Sequence, residues 1–115
     1  MKRIYYLSTC STCKRILKDL GDKTQSFELI DIKSDPLDEK QVDQLKKLAG
    51  SYEALFSRTA RKYKELGLKD KKLDEKDYKH YLLEHYTFLK RPVLVEGNKI
   101  FIGSRAVQKY ADGAN

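Results

Sequence analysis

The chain of 115 residues contains no tryptophan, one methionine, two prolines, two cysteines and two histidines. Two prolines, Pro36 and Pro92, are too few for a proline-rich linker or ligand segment. Two cysteines cannot build the disulfide framework of a small secreted scaffold. No apolar run approaches the roughly 18 residues that a membrane span requires. The first residues, MKRIYYLSTC, carry two cations but neither the apolar stretch nor the small-residue cleavage site of a secretory leader. A cytoplasmic protein with no membrane partner is expected. Acids are also short: 17 against 24 Lys and Arg, a net charge of +7. That excess suits an anionic substrate, an acidic protein or nucleic acid. Much of it lies in Lys62 to Lys79, where acids and lysines interleave as on a solvated surface. No zinc finger, RNA-recognition signature or basic zipper accompanies it, so nucleic acid has no direct motif.

What is present is a chain that is 40% hydrophobic and 36% charged, of a length that suits one domain, residues 1–115. Arg3 to Ser8 reads as a strand. Cys13, Ile16, Leu17 and Leu20 then fall on one helical face that Gly21 stops. Ser26 to Ile32 is a second strand. Asp38 opens a helix with Gln41 as its capping-box partner, and Val42, Leu45, Leu48 and Ala49 form its apolar face. Helical stretches are expected from about Tyr52 to Leu66, with Leu55, Phe56, Tyr63 and Leu66 inside, and from about Asp74 to Leu89. Pro92 to Val95, the turn Glu96-Gly97-Asn98 and Lys99 to Ile102 read as a β-hairpin. Ser104 can cap a last helix. The order is β-α-β-α-(α-α)-β-β-α, an α/β fold.

The two cysteines stand three apart, as Cys10-Ser11-Thr12-Cys13, between a strand and a helix start. In a redox reading, the unsatisfied N–H groups of the helix and the cation Lys14 draw the Cys10 pKa below its free value, so that Cys10 attacks. Cys13, on the apolar face one turn on, resolves. A zinc reading needs His80 and His85, which lie 67 and 72 residues beyond Cys13 and do not share a helix face. The third reading is two packed, inert thiols. Arg91 precedes Pro92 at the head of the hairpin. A proline there commonly takes the cis form and faces a cysteine motif that caps the first helix. Arg91 and Arg58 are thus candidates to lower the thiol pKa and hold an oxyanion by bidentate contacts.

From Met1 to Tyr110 the pieces RIYYLSTC, DIKSDPLDEKQV, YKELGL and RPVLVEGNKIFIG resemble, in order and spacing, the ArsC/Spx family. The resemblance implies a thioredoxin-like fold, a small mixed sheet flanked by helices, with a helical insertion before the C-terminal hairpin. It implies that Cys10 is the redox nucleophile, that Arg91 and Pro92 are the family's arginine and cis-proline, and that Arg58 falls in the region of its insertion arginine. Two branches follow. One is an arsenate reductase coupled to glutathione as co-substrate and to glutaredoxin or thioredoxin, with no bound cofactor or metal. The other is a Spx-type regulator that binds the RNA polymerase α subunit, with Cys10–Cys13 as its disulfide switch. Three positions depart from the reductase pattern: Cys13 where Ser is usual, Lys14 where Arg is usual, and Arg105 one place late for the arginine after the hairpin.

Overall fold

The computed structural model describes residues 2–113. Two compact units are present, residues 2–35 with 91–113, and residues 36–90. The first holds strands β1 (Lys2–Tyr6), β2 (Glu28–Asp31), β3 (Val93–Glu96) and β4 (Lys99–Ile102), with helices α1 (Ser11–Leu20) and α5 (Ser104–Ala111). The second holds α2 (Glu39–Ala49), α3 (Arg61–Glu65) and α4 (Glu75–Glu84), joined by 3₁₀ turns.

In the first unit the sheet order is β2-β1-β3-β4. β1 runs parallel to β2, with Ile4 opposite Leu29, and antiparallel to β3, with Ile4 opposite Leu94; β3 and β4 form the hairpin. Gly97, at φ +62, supplies the left-handed residue that so tight a connection requires. Ile4 and Leu94 pack with Ile16, Leu20, Phe27 and Val107, so α1 and α5 cover one face of this mixed sheet. Burying each of these side chains contributes about 1.5–3 kcal/mol. α1 ends at Gly21, whose N–H returns to the Leu17 and Lys18 carbonyls.

The second unit is built around aromatic rings. Phe56, fully buried, lies 5.1 Å from Phe88 in a stacked pair, 4.9 Å from Tyr78 and 6.0 Å from Tyr63. The helix expected from Tyr52 to Leu66 is not continuous. A 3₁₀ turn spans Glu53–Leu55, and Phe56 then extends to bridge Leu89. The Ser57 N–H donates to the Phe88 carbonyl at 2.7 Å and the Lys90 N–H to that of Leu55 at 2.8 Å. Pairing across the chain takes the backbone groups that a helix would use, and only Arg61–Glu65 coils. Leu66, read as a core contact, is 42% exposed; Leu68, two residues on, is the buried one. The helix expected to reach Leu89 stops at Glu84, because His85 turns extended and its ring Nδ1 accepts the Thr87 N–H at 3.2 Å, starting a 3₁₀ turn at Tyr86. Ser104 makes no cap bond either: Gly103 is the N-cap and Ser104 the first helical residue. Among the described residues no helix is long and apolar enough to cross a membrane.

Candidate active site

β1 gives out after Tyr6, and Leu7, Ser8 and Thr9 turn the chain into α1, the Cys10 N–H donating to the Leu7 carbonyl at 3.0 Å. Cys10 is the N-cap of α1, with extended backbone. Most N-caps are Ser, Thr, Asp or Asn, whose oxygen takes an N–H of the first turn. Cys10 forms no such side-chain bond. No acidic residue stands in the first turn of α1 either. The positive end of the helix is therefore left for the sulfur.

The two thiols respond in opposite directions. Partial burial pushes the Cys10 thiol up. The Cys13 N–H, the Cys13 thiol, the Thr12 N–H and the positive charge of Arg91 outweigh it, and the net pKa lies below the ordinary value. Cys13 is fully buried, and burial drives its pKa up to about 11, with its hydrogen bond to Cys10 and the charge there adding to the rise. The Leu7 N–H and the charge of Arg91 pull the other way without reversing it. At neutral pH the pair is thus a reactive outer sulfur and a protonated inner one. Both are free thiols in this structure.

Arg91 and Pro92 lie in the same unit as the thiols. The Arg91–Pro92 peptide is cis, Pro92 is buried, and its carbonyl accepts the Gly103 N–H at 2.9 Å. Arg91, half-buried, is the cation that acts on both sulfurs. Lys14 is exposed and is not among the main influences on Cys10; it donates its backbone N–H to the Cys10 carbonyl at 3.1 Å. Arg58 belongs to the unit 36–90. Its Nη2 lies 2.6 Å from Glu53 Oε2 and 2.9 Å from the Tyr78 hydroxyl, with the guanidinium 5.7 Å above the Tyr78 ring. The two histidines have separate partners, His80 with Glu84 at 2.9 Å and His85 with Thr87.

Sequence reasoning missed Asp31, the last residue of β2. Its carboxylate accepts the Ser8 N–H at 3.4 Å, the Lys33 N–H at 3.2 Å and the Ser34 hydroxyl at 3.2 Å. The Ser8 hydroxyl and these donors hold it below the usual carboxylate range. Asp31 so ties down the turn that leads into Cys10. The signal was visible: an Asp closing a strand before Lys33-Ser34-Asp35 is placed to accept backbone N–H groups two residues on.

Comparison with known proteins gives one family. The family model for the ArsC family matches residues 5–109. A structure described as a possible arsenate reductase from Streptococcus mutans UA159 is 31% identical, with 97% of this chain and 98% of that one covered at a TM-score of 0.77. SACOL0876 from Staphylococcus aureus COL is 30% identical, with 95% of each chain covered and a TM-score of 0.75. An arsenate reductase from Vibrio cholerae, 20% identical over 99% of this chain and 97% of its own, shares the fold at a TM-score of 0.80. Among curated proteins none matches. With the family model spanning most of the chain and these relatives matched nearly end to end, the chain belongs to the ArsC family and is a thiol redox protein of that family.

Proposed function

We propose that this protein is an arsenate reductase-like oxidoreductase with Cys10 as nucleophile. The observation that carries the reading is the opposed pair of thiols, Cys10 lowered and Cys13 raised to about 11, with Arg91 acting on both. The Cys10 thiolate attacks the arsenic of arsenate, forms an S–As bond and displaces an oxygen as water. Arg91 holds the oxyanion and offsets the developing charge. A second thiol, glutathione or Cys13, then attacks the Cys10 sulfur. The new S–S bond forms as the S–As electron pair passes to arsenic, which leaves as arsenite, two electrons richer.

Glutaredoxin or thioredoxin restores both thiols, and no metal or bound cofactor enters the cycle. A turnover assay with arsenate, glutathione and glutaredoxin tests the reading: arsenite release that Cys10→Ser abolishes supports it, and no release from the wild type refutes it. The second thiol, where reductases of the family usually have serine, favours one other reading, a Spx-type switch. Redox-dependent capture of the RNA polymerase α subunit, without arsenite release, would establish that reading instead.

A further inference from the structure

The reduced thiols form a two-sulfur site of their own. Cys10 heads the first turn of α1, its carbonyl accepting the Lys14 N–H at 3.1 Å, and Cys13 is the third residue of that helix. Residues three apart on a helix are neighbours, with roughly 5–6 Å between their Cβ atoms. The two sulfurs share a hydrogen bond. A disulfide must draw them to about 2.05 Å. A single atom bonded to both leaves them further apart, so a bridging atom asks less movement of the pair than the disulfide does. Three features decide which atom. The chain has no cysteine besides these two. Among the described residues no group of three His, Cys, Asp or Glu side chains is placed to hold a metal ion. The positive charge of Arg91 acts on both sulfurs.

We propose that the reduced Cys10–Cys13 pair captures trivalent arsenic as a cyclic dithioarsenite, and that the protein is thereby inhibited by the product of its own cycle. The capture needs only the two reduced thiols; the product inhibition rests on the reductase reading above. Zinc takes four protein ligands, or three and a water. Two sulfurs fall short of that, and a divalent cation near the Arg91 guanidinium is repelled. Trivalent arsenic takes three ligands, which two sulfurs and one hydroxyl complete. As arsenous acid it is uncharged at neutral pH, so Arg91 does not oppose its approach. Soft thiolate ligands suit so soft a centre.

In the first step the Cys10 thiolate attacks the arsenic of arsenous acid. An S–As bond forms, an As–O bond breaks, and the departing hydroxide takes up a proton from solvent and leaves as water. Cys13, which burial keeps protonated, then attacks the same arsenic, and its proton goes out with a second hydroxyl as water. One hydroxyl remains on arsenic, held now by both sulfurs. No electron changes hands: arsenic stays trivalent and neither sulfur is oxidised. The bridged pair has no thiolate left to attack arsenate. Closing the second bond is intramolecular, so the pair holds arsenic more tightly than either thiol alone. Hydrolysis of both bonds, or exchange onto an external dithiol, frees it.

The test is titration of the reduced protein with arsenite and, separately, with phenylarsine oxide, read by intact mass and by protection of Cys10 from iodoacetamide. Arsenite should add one AsOH group in exchange for two hydrogens, phenylarsine oxide one phenylarsenic group in exchange for two hydrogens, and both should protect Cys10. Zinc in place of arsenite should protect much less. Cys13→Ser should weaken arsenite binding about ten-fold or more, as the loss of an intramolecular second bond requires. Added arsenite should slow arsenate turnover over the same concentrations at which it protects Cys10. If the reduced wild type gains no arsenic and Cys10 alkylates at its untreated rate, the capture falls, whatever turnover shows. Arsenite binding undiminished in Cys13→Ser overturns the bridge, and equal protection by zinc overturns the choice of arsenic; the wild-type mass judges the capture even where that variant fails to fold. If arsenic is captured but arsenate is not turned over, the reductase reading and the product inhibition fall while the capture stands. If turnover proceeds unslowed while Cys10 is protected, the inhibition alone falls.

Discussion

Helices α2 and α4 of the unit 36–90 begin differently from the two helices of the sheet unit. α2 opens with Asp38, whose Oδ1 accepts the Gln41 N–H at 2.8 Å while Gln41 Oε1 accepts the Asp38 N–H at 3.0 Å. α4 opens with Asp74 in the same reciprocal arrangement with Asp77, both bonds 3.0 Å. Each has one further acid in its first turn, Glu39 in α2 and Glu75 in α4. α1 and α5 open with Cys10 and Gly103, without a side-chain cap bond and without an acid in the first turn. At α2 and α4 the positive helix ends are closed by carboxylates and serve stability, whereas the short α3 of the same unit opens at Ala60 with no such bond. In the sheet unit they stay open, and at α1 the open end meets the sulfur on which the chemistry is proposed to depend. The same backbone N–H groups stabilise a helix or a thiolate according to which side chain stands at one position.

That contrast can be broken first where the stability is largest. Phe56→Ala removes the ring at the centre of the aromatic cluster and should cost about 3–5 kcal/mol in denaturant unfolding. Under native conditions the Cys10 alkylation profile of that variant should stay as in the wild type, because the groups that lower its pKa all lie in the sheet unit. A Cys10 pKa restored to the ordinary value in Phe56→Ala would show that the two regions are not independent in this respect.

Next in size is the split between the thiols. With Cys13 raised to about 11 and Cys10 lowered, Cys10 should alkylate at least about 100-fold faster at pH 7, measured by mass spectrometry. The signs of the pH effects on stability are opposite. The fold favours the Cys13 thiol, so that contribution is complete below the free value of about 8.5 and is lost as pH rises through about 11. The fold favours the Cys10 thiolate, so that contribution is present above about 8.5 and is lost as pH falls through the lowered value. Cys13→Ala should therefore remove the alkaline loss and Cys10→Ser the acid-side one.

Arg91→Ala should weaken sulfate or arsenate binding by about 1.5–3 kcal/mol, as for a charge-assisted hydrogen bond, with Arg91→Lys recovering part; isothermal titration decides. Arg61→Ala, in the unit 36–90, should change little. The smallest effects concern the caps. Asp38→Ala or Asp74→Ala should each lower stability by about 1 kcal/mol, while Ser104→Ala should stay within about 0.5 kcal/mol because Ser104 caps nothing.

The sheet unit was largely legible because its signals are local. Cys10 and Gly21 bound α1 as read, Lys99 to Ile102 is β4 residue for residue, and the turn at Gly97 follows from its composition. Asp38 and Asp74 marked their helices for the same reason. What could not be read depends on groups distant in sequence. Phe56 leaves the helical pattern because Leu89 is there to pair with it, and no window around Phe56 contains that fact. Leu66 fits an apolar stripe, but the helix that would display it lasts five residues. At the site, the positions of Cys10 and Cys13 were visible in their spacing. The clamp from Asp31 to Ser8, 23 residues apart, was not, because it depends on the parallel pairing of β1 with β2.

The absence of a carboxylate cap on α1 also bears on energy exchange with the cell. In the proposed cycle the helix end is best satisfied when Cys10 is reduced and charged, and it loses that charge when the disulfide closes. A fold that favours the reduced form holds its disulfide as the better oxidant. The Cys10–Cys13 couple should therefore sit at a higher reduction potential than the same two cysteines in an unfolded peptide, and Cys10, by standing where an aspartate would cap, sets the direction in which electrons flow.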